Sequence, residues 1–420
     1  MNEILVLASV FPPQIGGSGR WLYELYRRLP PSAVRIVAGC CSGCEEFDER
    51  QPMHIERQPL HLPSWGLMHP QAAWHFYQAY RRLSKIIAQN TVSCIHAGKP
   101  LPEGLLAWFL RKKTKTGYLV YVHGEELNIA RSSRELAFWT QRVLTGAGAI
   151  IANSGNTRAL LVHDWHLQPG RVYVVHPGVD TDYFRPAPPS RHVRHKLGWN
   201  DRPTVLTVGR LQKRKGQDML IRALPMARQA VPDILYAIVG DGPERQQLHS
   251  LVDALHVQEH VRFHGDLTDR DLLECYQQCD LFALPNREVA GDFEGFGMVL
   301  LEAQACGKPV IAGRSGGTGE ALWDGVTGLH IPCDRPEPLA HAIGQLLQDP
   351  DRRRTMGTAA RTWVVERFRW PIVAGQAQEI FQSLGHLPFH GGNGLPLDCG
   401  VPGTGRTDDM ASCTRPPTVP

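Results

Sequence analysis

Two carboxylates eight positions apart, Glu294 and Glu302, stand in the segment FEGFGMVLLEAQACGKPVIAGRSGGTGE, Phe293–Glu320. A carboxylate accepts hydrogen bonds from two hydroxyls of one sugar ring. Glu294 precedes a glycine-flanked turn. Gly295, Phe296, Gly297 and Met298 then begin a helix whose first N–H groups lack partners inside it and can face phosphate or sugar oxygens. Glu302 falls within that helix, so the pair could hold a hexose and a ribose at once. A helix-start carboxylate or an exposed glutamate explains either residue alone. The pair in its glycine-rich frame is explained less well that way.

Two loops add positive charge. FPPQIGGSGR, Phe11–Arg20, follows a strand pattern and opens a helix. Gly16, Gly17 and Gly19 let backbone N–H groups come close to a ligand, and the helix start favours an anion. The spacing is not G-x-G-x-x-G, which weakens a dinucleotide reading and leaves a tight strand–helix turn open. GRLQKRKG, Gly209–Gly216, places Arg210 and Lys215 at the end of another strand, where a diphosphate could sit; a solvated basic loop is the alternative. His123, in YVHGEE, ends a strand and caps a loop or faces a site. Cys41 and Cys44 form C-x-x-C without a second ligand pair, so reduced thiols at the end of a buried strand are the expectation there rather than a metal or redox centre.

The elements that must position these residues repeat. Apolar runs at Ile4–Val10, Arg35–Cys40, Ser93–Ala97, Tyr118–His123, Ala149–Asn153 and Val172–His176 alternate with helical patterns at Ser18–Leu29, Ala72–Gln89 and Pro102–Lys112. Such alternation predicts a parallel sheet covered on both faces. Asp180–Arg202, with Pro186, Pro188 and Pro189, reads as a linker. Strands then recur at Thr204–Val208, Ile234–Val239, Val261–His264, Leu281–Leu284 and Pro309–Ala312. Helices recur at Gln217–Gln229, Glu244–Leu255, Asp269–Gln278, Gly297–Ala305 and Pro336–Leu347. The fold class is therefore α/β, with two doubly wound Rossmann-like domains and ligands expected beyond the carboxyl ends of the strands. From residue 386 onward, Gly, Pro and Thr without apolar period predict a disordered tail.

Composition narrows the function. Lys and Arg exceed Asp and Glu by 45 to 41, too mild a balance to indicate nucleic acid. MNEILVLASVF has no basic leader and reads as a strand rather than a signal peptide. No apolar run approaches the ~18 residues of a membrane span. Scattered cysteines suit a reducing cytosol, so a cytoplasmic protein is expected, with the inner face of the cytoplasmic membrane as the alternative location.

With these motifs in order, the chain resembles the retaining glycosyltransferases of family 4, which have the GT-B fold. The carriers are E-x7-E at Glu294–Glu302, the pair Arg210/Lys215, the loop Gly16–Gly17, PGVD at Pro177–Asp180 and RFRW at Arg367–Trp370. The wording EGFGMVLLEAQACGKPVIAGRSGG is most similar to phosphatidylinositol-mannoside mannosyltransferases and related bacterial enzymes. The resemblance implies an acceptor-side domain over 1–185, a nucleotide-sugar domain over 186–365, and a crossover helix at 366–385 returning to the first. It implies that Arg210 and Lys215 bind the donor diphosphate with the Gly16–Gly17 backbone. Glu302 accepts from the ribose, while Glu294 and the amides of Phe296, Gly297, Met298 and Val299 address the sugar. His123 lies near that sugar, and Leu267 touches the base.

The resemblance further implies hexosyl transfer, mannosyl by preference, with GDP-mannose favoured over UDP-sugars. It implies no cofactor and no metal at the diphosphate, since cations and a helix dipole stabilise the leaving group. Glu294 orients the sugar and is not assigned as a nucleophile. The acceptor is expected to be a lipid-linked or glycan molecule against the first domain. There Ala72–Gln89 carries aromatics with Arg81, Arg82 and Lys85, and a second basic group follows at Arg111, Lys112, Lys113 and Lys115. Both could rest on anionic lipid, or form a solvated helix face. An epimerase of the same fold and a non-catalytic sugar-nucleotide binder are the rival readings.

Overall fold

The computed structural model describes residues 3–60 and 69–386. Strands β1 (Glu3–Ala8), β2 (Val34–Ala38), β3 (His54–Arg57), β4 (Val92–Ala97), β5 (Gly117–Val122), β6 (Ala149–Ala152) and β7 (Val172–Val174) build a seven-stranded sheet in the order β3-β2-β1-β4-β5-β6-β7. Strands β8 (Thr204–Val208), β9 (Leu235–Val239), β10 (Val261–Gly265), β11 (Leu281–Leu284), β12 (Val310–Gly313) and β13 (Gly328–Ile331) build a second, in the order β10-β9-β8-β11-β12-β13. Every pairing within the two sheets is parallel. The order reverses beside β1 and beside β8, the switch points where doubly wound sheets take ligands.

Helices α1 (Gly17–Tyr26), α2 (Cys44–Glu49), α3 (Pro70–Gln89), α4 (Leu105–Thr114), α5 (Glu125–Arg131), α6 (Arg134–Gly146) and α7 (Gly155–His163) accompany the first sheet. Helices α8 (Arg191–Lys196), α9 (Gln217–Ala230), α10 (Arg245–Ala254), α11 (Asp269–Gln278), α12 (Met298–Ala305), α13 (Pro336–Gln348), α14 (Pro350–Arg367) and α15 (Trp370–Ser383) follow.

The central strands are apolar without a break because both faces are covered. On β1, Ile4 and Val6 join one core with α1 residues, while Leu5 and Leu7 join another with α3 and α4 residues. On β8, Val205 and Leu206 divide between two cores in the same way.

The chain passes between the halves twice, and the two passages touch. Val179 N–H donates to the Phe368 carbonyl at 2.8 Å, and Val179 forms a parallel bridge with Arg369. The PGVD and RFRW motifs therefore lie side by side. Arg361 on α14 adds a clamp, donating to the carbonyls of Thr181, Phe184 and Ala305. Beyond this junction α15 lays Trp370, Val373, Ala374, Ala377 and Phe381 into the core formed by β1 and α1. The last helix thus completes the first sheet's hydrophobic layer.

Several expectations need correction. The run Arg35–Cys40 stops pairing at Ala38, and Cys40 is exposed, so the Cys40–Cys44 thiols do not end a buried strand. Cys44 opens α2. Helix Ser18–Leu29 ends at Tyr26, and the linker Asp180–Arg202 contains α8. Pro100–Gly104 forms a wide turn before α4, which delays the helix expected from Pro102. The tail expected from residue 386 lies outside the described residues except for His386, which contacts His96 on β4.

Gly178 has no room for a side chain: a Cβ there would lie 2.7 Å from the Trp370 ring and 2.8 Å from the Phe368 carbonyl oxygen. Gly178→Ala is expected to destabilise the protein by roughly 1–3 kcal/mol through overpacking. Gly375→Ala, in α15 with nothing within 4 Å of the new methyl, is expected to gain about 0.5–1 kcal/mol. Thermal unfolding of the two variants distinguishes crowding at the junction from a general glycine effect.

Candidate active site

The site begins where β11 ends and α12 starts. Gly297, at φ 88°, turns the chain into α12 and carries no capping side chain. The loop after β12 grips this turn from behind. Asn286 accepts from Gly313 N–H and donates to the Ser315 carbonyl, and Gly317 N–H donates to the Glu294 carbonyl. At Gly316, with φ 66°, a Cβ would lie 1.9 Å from the Glu294 carbonyl oxygen, so the glycine is obligatory for this packing.

Both predicted carboxylates are buried, Glu294 at 8 % and Glu302 at 7 % exposure, and each is paired with at least one cation. Glu294 Oε2 lies 2.5 Å from Lys215 Nζ and 2.6 Å from Arg214 Nη1. Burial alone would raise its pKa, but Lys215 and then Arg214 outweigh it and hold the carboxyl below its ordinary value. Glu302 meets a different pair: Arg20 Nη1 donates to Oε1 at 2.9 Å and Tyr276 Oη donates to Oε2 at 2.7 Å. Here burial dominates over the Arg20 charge, and the carboxyl is raised. The two glutamates are thus electrostatically unequal, one set between two cations and the other facing a single arginine and a tyrosine hydroxyl.

Elements from both halves converge at α12. A Cβ built on Gly17 would lie 3.4 Å from Met298 Sδ, which places the Gly16–Gly17 loop against the start of α12. Met298 is half-buried and packs in a core of each half. A Cβ on Gly295 would lie 2.3 Å from the His123 carbonyl oxygen, and Asn153 Nδ2 donates to that oxygen at 2.9 Å. His123 Nε2 donates to the Gly98 carbonyl at 2.9 Å, leaving Nδ1 as the acceptor nitrogen. Burial depresses its pKa against the pull of Glu126, so the ring is neutral at neutral pH. Gly16, Gly17, His123, Lys215, Glu294, Gly297, Met298 and Glu302 are brought together.

The remaining predicted residues sit differently. Arg210 is exposed and has no ion pair among the described residues. Phe296 turns its ring inward between His176 and Phe368, at centroid distances of 5.3 and 6.0 Å, so only its backbone can serve a ligand. Val299 is half-buried against the second domain's core, as is Leu267 ahead of α11.

Arg20, Arg214, Tyr276, His176 and Glu320 were not foreseen. The sequence carries a signal for Arg20 and Arg214, which stand in the same two loops as Gly16–Gly17 and Lys215. Glu320 bridges the halves. Its carboxylate accepts from Gly155 and Asn156 N–H at the start of α7, at 2.7 and 3.0 Å, and contacts His176 Nε2 at 2.8 Å. Burial raises its pKa, but the His176 and backbone hydrogen bonds together outweigh that and lower it. A folded-state carboxyl below its unfolded value contributes stability that is present above about pH 4.5 and is lost as pH falls through the folded value. Glu320→Gln is therefore expected to be less stable than the wild type at pH 7, with the difference shrinking as acid is added. Denaturant titrations at stepped pH check this; a gap that stays constant down to pH 3 would contradict it.

Comparison with known proteins bears on the fold and the family. Residues 15–183 match the model described as Glycosyltransferase Family 4, and residues 190–363 match that described as Glycosyl transferases group 1. A GDP-mannose-dependent alpha-(1-6)-phosphatidylinositol monomannoside mannosyltransferase of Mycolicibacterium smegmatis is 34% identical over 389 residues, covering 90% of this chain and 98% of that protein. A GDP-mannose-dependent monoacylated alpha-(1-6)-phosphatidylinositol monomannoside mannosyltransferase of Corynebacterium glutamicum is 31% identical over 401 residues, covering 91% and 98%. The crystal structure of Anabaena HepE in complex with UDP shares the fold at a TM-score of 0.75 and 23% identity, covering 91% of this chain and 100% of that one. The paired parallel sheets and the near full-length relatives together place the chain in glycosyltransferase family 4, as a hexosyltransferase of the GT-B fold.

Proposed function

We propose that the protein transfers mannose from GDP-mannose, with retention at the anomeric carbon, to an inositol-containing glycolipid. The observation that carries the reading is the pair of buried carboxylates at the start of α12, held by cations from both halves of the chain. Similarity over nearly the whole chain to GDP-mannose-dependent enzymes supports the choice of donor.

In this reading Lys215 leaves Glu294 in part to meet the donor diphosphate, joined by exposed Arg210 and the backbone of Gly16–Gly17. Developing negative charge on the leaving group is stabilised by these cations and by the N-terminal amides of α12, from Phe296 to Val299, without reorganisation of solvent. Glu294, released from one cation, accepts from sugar hydroxyls. Neutral His123 addresses the same sugar. Glu302 accepts from the ribose, and the Leu267 backbone borders the base. Helix α3 fits a membrane-borne acceptor. Its Phe76, Ala79, Leu83 and Ile86 pack inward, while Trp74 and Tyr77 are 59% and 49% exposed beside exposed Arg81, Arg82 and Lys85.

A donor panel tests the assignment, with acceptor presented in anionic or neutral vesicles. GDP-mannose is expected to support transfer and UDP-glucose not, faster on anionic vesicles. Glu302→Gln keeps the side chain's volume but removes the anion, and is expected to weaken GDP binding by about 10- to 100-fold, as loss of a hydrogen bond to a charged group does. Unaltered GDP affinity in that variant would remove Glu302 from the ribose site.

A further inference from the structure

Outside the donor motifs, three metal-ligating side chains come together at β4. Cys94 and His96 alternate on that strand and share a face, and both are buried. His386 reaches them from the end of α15. One donor atom from each of the three lies within 4.8 Å of the others. His96 Nε2 and His386 Nδ1 are 3.1 Å apart. Two imidazoles on one tetrahedral zinc ion, at bond lengths of about 2.0–2.1 Å, stand roughly 3.3 Å apart. The observed spacing needs little adjustment.

The surroundings aim these side chains. His386 is placed by a helix terminator: its N–H donates to the Phe381 carbonyl at 2.8 Å, Gly385 N–H donates to Gln382 at 2.9 Å, and Gly385 takes φ 72°. The other nitrogen of His96, Nδ1, lies 2.6 Å from Tyr26 Oη, which lies 2.9 Å from Tyr121 Oη. A metal-bound histidine characteristically gives its second ring nitrogen such a partner, which fixes ring and tautomer. Phe381 packs on the His96 ring at 4.7 Å between centroids. A hydrogen-bonded His96–His386 pair accounts for two of the three residues, and the Cys94 thiol then does no more than donate to the Ile95 carbonyl at 3.7 Å.

We propose that Cys94 Sγ, His96 Nε2 and His386 Nδ1 form a site for one zinc-like divalent transition-metal ion, which fastens the end of α15 to β4. Nitrogen and sulfur donors select this class of ion over magnesium or calcium. Water completes the fourth position. The thiol proton passes to solvent as the metal–sulfur bond forms, and no electron is transferred. The ion is distinct from the transfer chemistry at α12. Its effect is to hold the returning helix on the first sheet.

The test uses the full chain, stripped with a chelator and titrated with cobalt(II). One ion per chain is expected, with the near-ultraviolet band of a thiolate–cobalt bond and the intense visible bands of tetrahedral cobalt. Cys94→Ser is expected to lose the thiolate band. His386→Ala, beyond the last turn of α15, is expected to bind at least tenfold more weakly. Cys41→Ser/Cys44→Ser is expected to match the wild type. Absence of a thiolate band in the wild type would overturn the proposal and leave a histidine pair only. So would loss of the band in Cys41→Ser/Cys44→Ser with retention in Cys94→Ser, because the ion would then sit on α2.

Discussion

Everything at the donor site depends on keeping two buried carboxylates near one helix start without leaving either uncompensated. A buried, unpaired carboxylate is costly enough that it must find a cation, a donor or a proton. Glu294 is met by Lys215 and Arg214, and Glu302 by Arg20 and Tyr276. Arg20 belongs to α1 of the first half, and Glu302 to α12 of the second. Charge balance at α12 therefore requires the halves to be together. The same cations suit a diphosphate, so satisfying the glutamates and binding the donor draw on one set of groups.

The covalent path reinforces that coupling. Val179 and Phe368 share a hydrogen bond where the chain leaves the first half and where it returns, and α15 then fills the layer over β1. Glu320 adds a third tie, from the loop after β12 to the start of α7. These contacts surround the start of α12 with elements close to one another in space but remote in sequence.

That remoteness explains what was legible in the chain. Residues β8 Thr204–Val208 and β11 Leu281–Leu284 were found to the residue, because central strands covered on both faces read as unbroken apolar runs. Edge strand β3, His54–Arg57, is half-exposed and carries three ionisable residues, so it has no apolar signature. Helix α2, CEEFDE, is too polar and short to show a period. Glu294, Glu302 and Lys215 were visible because a local glycine frame marks each. Tyr276 has no such frame and its partner lies 26 positions away; Arg20 stands in the Gly16–Gly17 loop, but the carboxylate that gives it a role lies 282 positions away. The Cys94–His96–His386 cluster was hidden for the same reason: its third member lies 290 positions from the second. The C-x-x-C at Cys41–Cys44 drew notice by its spacing alone.

The central claim is that both halves build one donor site through the Arg20–Glu302 contact. It is tested most directly by a double-mutant cycle read out as GDP affinity, using Arg20→Met, Glu302→Gln and the pair. The account predicts a coupling of about 1–3 kcal/mol, with the double variant little worse than the poorer single one, as for residues in direct contact. Effects that add within about 0.3 kcal/mol would contradict it, and would mean that Arg20 and Glu302 act on the nucleotide independently.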